Sequence, residues 1–118
     1  MYKYYNANSL GRLQEDCTVR SISCATGKSW DYVYSQLSNE ARNRGTMMDN
    51  RDFIVEYLDS RYESVDVDGM SVGEVSAMYS DCIVLITMLN HITCSKFGTI
   101  YDTFDPRHKR AEFCWIVK

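Results

Sequence analysis

Apolar residues recur at helical spacing through roughly the first two-thirds of the chain, then give way to short, continuous apolar runs. Val19, Ile22 and Ala25 mark one side of a helix that Asp16 is placed to N-cap and Gly27 to stop. Ser29 reads as the N-cap of a second helix from about Trp30 to Asn43. Trp30, Val33, Tyr34, Leu37 and Ala41 give it a core-facing side, and Gly45 ends it. Thr46-Met47-Met48-Asp49 has the form of a capping box ahead of a third short helix carrying Phe53, Ile54, Tyr57 and Leu58. Ser71-Val72-Gly73-Glu74 has the same form ahead of Val75, Met78 and Tyr79. Tyr62–Val67 is a short strand candidate, and Met1–Leu13, polar and aromatic, is expected to be an extended lead-in lying against the domain.

The pattern changes at Cys82. Cys82-Ile83-Val84-Leu85-Ile86-Thr87-Met88 is β-branched and apolar throughout, the mark of a strand covered on both faces. His91–Cys94 and Thr99–Phe104 are two further strand-like runs joined through Lys96-Phe97-Gly98, where glycine permits a turn, and Phe113–Val117 is the last. Helices followed by a strand-rich meander predict an α+β fold. Its N-terminal helices would pack on a C-terminal antiparallel sheet of about four or five strands. With no repeat, no low-complexity stretch and a single proline, Pro106, in a loop, the expectation is one domain over residues 1–118.

Composition narrows the function classes. Hydrophobic residues at 45% and aromatics at 13% supply a globular core. A net charge of −3 advertises no basic face for nucleic acid or anionic lipid. There is no apolar run of membrane-spanning length and no charged-then-apolar leader. Five cysteines, none in a Cys-x-x-Cys arrangement, exclude a fully paired disulfide scaffold and point to a reduced, cytoplasmic setting. Cys17, Cys24, Cys82, Cys94 and Cys114 also lack the paired spacing of a zinc site, so neither metal nor other cofactor is expected.

The candidate chemistry begins at Cys17. A thiol in the first turn of a helix meets unpaired backbone N–H groups and partial positive charge, conditions that favour the nucleophilic thiolate. A cysteine taken alone is more often a small buried apolar residue. Its company alters that reading: His91 opens a strand and is followed by an acidic hairpin partner, so a base and an orienting carboxylate are both available. His108, within Arg107-His108-Lys109-Arg110, is expected to be solvated. Asp102 and Asp105 compete for the orienting role, and hairpin register decides between them. An even number of turn residues around Phe97-Gly98 sets His91 opposite Phe104, with Asp102 diagonal on the same face; an odd number favours Asp105. Asp102 is preferred because Asp105 precedes Pro106 and is suited to starting a loop or an aspartate turn.

Three segments, Asp16-Cys17-Thr18-Val19-Arg20-Ser21-Ile22, Asn90-His91-Ile92-Thr93 and Gly98-Thr99-Ile100-Tyr101-Asp102-Thr103-Phe104-Asp105, together resemble the compact papain-like cysteine peptidases. The likeness is greatest to small phage-encoded and bacterial proteins with an Asp-Cys-x-x-Arg-Ala-Ile helix start and a His…Gly-x-Ile-x-Asp-Thr-Trp-Asp ending, and similar logic occurs in bacteriocin-processing domains. It spans roughly Gly11–Lys28 and Leu85–Val117. The resemblance implies a papain-like fold in which Cys17 is the nucleophile, His91 the general base and acid, and Asp102 the orienter, with Thr103-Phe104 where such enzymes often carry a polar residue and a tryptophan. Gly11 stands where these enzymes place an oxyanion-hole glutamine, and Ser21 where the small ones often have alanine. Gln14 and Asn8 are the side-chain candidates for the oxyanion donor, beside the Cys17 backbone N–H. The activity implied is thiol hydrolysis of a peptide or isopeptide bond in a peptide or protein substrate. The alternative is a non-catalytic papain-fold interaction protein, such as a phage-type binder of a host factor.

Overall fold

In the computed structural model, which describes residues 1–8, 10, 11 and 16–118, the chain forms four helices and six strands. The helices are α1 (Cys17–Thr26), α2 (Trp30–Asn43), α3 (Arg51–Asp59) and α4 (Val72–Met78). The strands are β1 (Tyr2–Tyr4), β2 (Glu63–Val65), β3 (Ile83–Met88), β4 (His91–Lys96), β5 (Thr99–Asp102) and β6 (Phe113–Ile116), and they form one sheet in the order β1-β5-β4-β3-β6-β2.

The apolar run at β3 lies inside this sheet and is covered on both sides. Ile83 and Leu85 join Ile92, Cys94 and Trp115 against α1, α2 and α3, where Val19, Ile22, Val33, Leu37, Phe53 and Leu58 are buried. Val84, Ile86 and Met88 face the other way, onto Val72 and Val75 of α4. A strand with apolar neighbours on each face has no reason to alternate, hence its unbroken hydrophobicity. The fully buried Trp115 keeps its indole N–H satisfied by donating to Asp59 Oδ1 at 2.8 Å.

Three expectations need correction. The helices do not all lie on one face, because α4 covers the side opposite α1–α3. The sheet has six strands and is mixed: β1 pairs parallel with β5, Tyr2 opposite Ile100 and Tyr4 opposite Asp102. Tyr2-Lys3-Tyr4 joins through its backbone at the sheet edge and has too few apolar residues to declare itself by periodicity. Thr46-Met47-Met48-Asp49 is not a capping box either. Its Thr46 N–H closes α2 by donating to Ala41 O at 2.9 Å while Gly45, at φ 70°, donates to Arg42 O, a Schellman ending. Asn50 caps α3 instead, accepting from Phe53 N–H. The matching pattern at Ser71 has no such competitor and forms the reciprocal box, Glu74 N–H to Ser71 Oγ at 3.1 Å and Ser71 N–H to Glu74 Oε1 at 2.9 Å.

The hairpin of β4 and β5 turns on two residues, Phe97 at φ 51° and Gly98 at φ 84°. Both are left-handed, as in a type I′ turn. Lys96 pairs with Thr99 and Cys94 with Tyr101, which is the even register. Replacing Gly98 by alanine is expected to lower unfolding stability by about 1–2 kcal/mol from the left-handed backbone alone. The new Cβ adds a contact at 3.3 Å to Ser80 Cβ, whereas at Gly27 (φ 76°) a Cβ meets nothing within 4 Å. Urea unfolding should therefore show Gly98→Ala more destabilising than Gly27→Ala, and an equal or smaller loss would contradict this account of the turn.

Candidate active site

Cys17 is the first residue of α1, at the helix start where unpaired N–H groups gather. Asp16 occupies the N-cap position but does not cap: its side chain accepts no helix N–H. Its backbone, at φ −120° and ψ 28°, lies outside the extended region that aims a capping carboxylate at the helix. The carboxylate bonds elsewhere. Asp16 Oδ2 accepts from the Trp30 indole at 2.7 Å and the Asn8 amide at 3.3 Å, and Oδ1 lies 3.4 Å from Arg20 Nε. The backbone N–H groups beside Cys17 are thus left free of that carboxylate.

Pairing between β4 and β5 ends at Cys94 and Tyr101, and the start of α1 meets the exposed β4 backbone beyond it. The Ile92 carbonyl accepts the Ser21 hydroxyl at 2.8 Å, and the Ile92 N–H helps to lower the Cys17 thiol. His91, one residue back, bonds through Nε2 to Asp102 Oδ2 at 2.7 Å, which leaves Nδ1 for the Cys17 thiol that lines the same groove and interacts with the imidazole. Asp102 is itself fixed, since its Oδ1 accepts Thr103 N–H at 2.7 Å and its carbonyl accepts Tyr5 N–H at 2.9 Å and the Tyr2 hydroxyl at 3.1 Å. The His91 and Phe104 rings lie 4.7 Å apart, as the even register requires.

Asp105 is not brought to His91. Its carboxylate accepts from the Arg107 N–H and grips the Arg107 guanidinium, closing an aspartate turn at the surface. His108 is exposed. Gln14 lies outside the described residues, and Asn8, its amide engaged by Asp16, does not line the groove around Cys17. Arg20 was missed in the sequence. It bridges Asp16 to Thr103 Oγ1 (3.4 Å) and so ties the residue before Cys17 to the residue after Asp102. Only the four-residue spacing from Asp16 hinted at it.

The three groups adjust one another's ionisation. Burial pushes the Cys17 thiol up, but the His91 hydrogen bond and charge, the Ile92 N–H and Arg20 together hold it below its ordinary value. Burial alone would push His91 down, yet its bonds to Asp102 and Cys17 and their charges raise it to about 9. Asp102, also pushed up by burial, ends lowered through His91, Thr103 N–H and the nearby Thr93 hydroxyl. The three shifts move the groups toward thiolate, imidazolium and carboxylate in a row.

The pair opens onto a groove of about 1270 Å³ in which Trp30, Met48, Ile54, Met88 and Phe104 supply apolar walls. Among the described residues no cluster of three or more metal-ligating side chains occurs, and no helix is long and apolar enough to cross a membrane. No family model, curated protein or solved structure matches this chain.

At pH 6 a small alkylating reagent should modify Cys17 before the other four cysteines, and His91→Ala should slow that reaction. Mass-spectrometric mapping of the labelled peptides measures both. Uniform, slow labelling of all five thiols would remove the case for an activated Cys17.

Proposed function

We propose that the chain is a papain-like thiol hydrolase that cleaves peptide or isopeptide bonds through an acyl-enzyme. One observation carries the reading: His91 bonds at 2.7 Å to a buried carboxylate and lines the same groove as a thiol on a helix start, each of the two shifting the other's ionisation. Nucleophilic catalysis by cysteine needs this sequence of nucleophile, base and orienter.

In the first half-reaction the Cys17 thiolate attacks the carbonyl carbon, a C–S bond forms, and the C=O electron pair moves onto oxygen beside the Cys17 N–H. As the oxyanion collapses the C–N bond breaks, and His91 gives its proton to the departing amine. Water then attacks the thioester while His91 takes its proton. The C–S bond breaks, the acid leaves, and thiolate and imidazolium are restored. Asp102 holds the ring and stabilises its charged form throughout.

A second reading, a papain-fold binding protein without turnover, draws on the oxyanion hole. Asn8, one of the two side-chain donors expected there, is turned to Asp16. Loss of such a donor costs about 10²–10³ in rate.

A fluorogenic peptide library and a peptidyl electrophile applied to the full chain test both readings. Cys17→Ala should lose all turnover and labelling. Asp102→Ala should lower kcat on the order of 10²–10⁴-fold with the fold intact, whereas Asp105→Ala should leave it near wild type. The rate should be bounded on the alkaline side as pH rises through about 9, where His91 gives up its proton, and on the acid side below the ordinary thiol range, where the Cys17 thiolate is lost. Turnover that survives Cys17→Ala would end the hydrolase proposal, and selective Cys17 labelling without turnover favours the binding protein.

A further inference from the structure

Two buried thiols outside the site remain to be explained. Cys24 lies on α1 and Cys94 on β4, and both belong to the core between helix and sheet. Disulfide chemistry there requires the two backbones to approach closely. The α1 helix lies close enough to β4 for the Ser21 side chain to reach the Ile92 carbonyl at 2.8 Å. One helical turn further on, Cys24 shares a core cluster with Cys94, two residues beyond Ile92, and each thiol shifts the other's ionisation.

Cys94 has no exposed surface, while Cys24 keeps 8% of its own. That remaining surface opens on a second cavity, of about 540 Å³, lined by Lys3, Lys28, Lys96, Tyr5 and Tyr101. No aspartate or glutamate lines it among the described residues. Cys24 is therefore approached from a positive cavity, and Cys94 lies behind it. The remaining thiols differ: Cys82 donates to Asp81 Oδ1 at 3.3 Å, and burial pushes Cys114 up to about 12.

We propose that Cys24 and Cys94 are a dithiol oxidation site, converted to a disulfide by a small hydroperoxide that enters through the lysine-lined cavity. Cys24 makes the first attack. Its sulfur bonds to the terminal peroxide oxygen, the O–O bond breaks, and the departing oxygen takes up a proton to leave as alcohol or water. Cys24 is then a sulfenic acid. The Cys94 sulfur attacks it, the S–S bond forms, the S–O bond breaks, and the hydroxide released combines with the Cys94 proton as water. The two sulfurs lose two electrons and the peroxide gains them. Cys24 lines the cavity and Cys94 has no exposed surface, which assigns the order of attack; Cys24 is lowered by Cys94, in keeping with that order. The cross-link would join α1 to β4, seven residues after Cys17 and three after His91. It does not depend on Cys17 being a catalytic nucleophile.

The test uses the full-length Cys17→Ala chain, so that the other reactive thiol does not compete, treated with hydrogen peroxide and digested without reduction. The expected product is a peptide pair joined through Cys24 and Cys94, lighter by two hydrogens, with Cys24 consumed at least about tenfold faster than Cys82 or Cys114. In a Cys94→Ala version that circular dichroism shows to be folded, dimedone should trap a sulfenic acid at Cys24. If that version is unfolded, the cross-link map of the Cys17→Ala chain decides alone. Consumption of Cys24 no faster than Cys82, or a cross-link from Cys24 to any other cysteine, overturns the proposal.

Discussion

Two left-handed residues, Phe97 and Gly98, decide where every side chain of the β4–β5 hairpin points. An even turn pairs Cys94 with Tyr101, and by continuing that register sets His91 and Asp102 on one face with Phe104 opposite the imidazole. One more residue in the turn would move the whole set to the other face. The 2.7 Å contact between His91 and Asp102 therefore depends on local backbone conformation several residues away. Glycine accommodates its left-handed φ without strain, whereas Phe97 does so at a cost the paired strands must offset.

The same hairpin leaves room for the helix. Because β5 stops pairing with β4 at Tyr101, the β4 backbone at Ile92 is free to bond to α1, accepting from Ser21 and helping to lower Cys17. Backbone groups that a longer strand would have satisfied instead seat the thiol. The same packing of α1 on β4 places Cys24 and Cys94 in one core cluster. Active-site geometry and the oxidisable pair thus follow from one packing choice.

Burial opposes the charged forms of Cys17, His91 and Asp102, and each is offset by its neighbour's charge or hydrogen bond. Such a row is favourable only while all its members are held in line, since a buried charge without its partner is costly. The surrounding polar bonds do that holding. Trp30 and Arg20 anchor Asp16, Arg20 reaches on to Thr103, and Tyr2 and Tyr5 brace the Asp102 backbone from the edge strand.

Much of this was legible in the chain itself because it rests on short-range rules. Helical spacing and the Ser29 and Ser71 caps marked α2 and α4, and the unbroken apolar run marked β3 as covered on both faces. The candidate cysteine, histidine and carboxylate could be named, with the choice of Asp102 over Asp105 waiting on a turn length. Tertiary structure decided what depends on distant partners. The Asp16 carboxylate had a helix start within reach, yet the Trp30 indole and Arg20 draw it away. Thr46 had a capping pattern, but its N–H was already committed to ending α2. Tyr2–Tyr4 carries no hydrophobic signature of a strand and becomes one because β5 offers an unpaired edge. Local sequence determines which backbone conformations and side-chain faces are cheap; which of several available partners a polar group takes is set by packing between elements far apart in the chain.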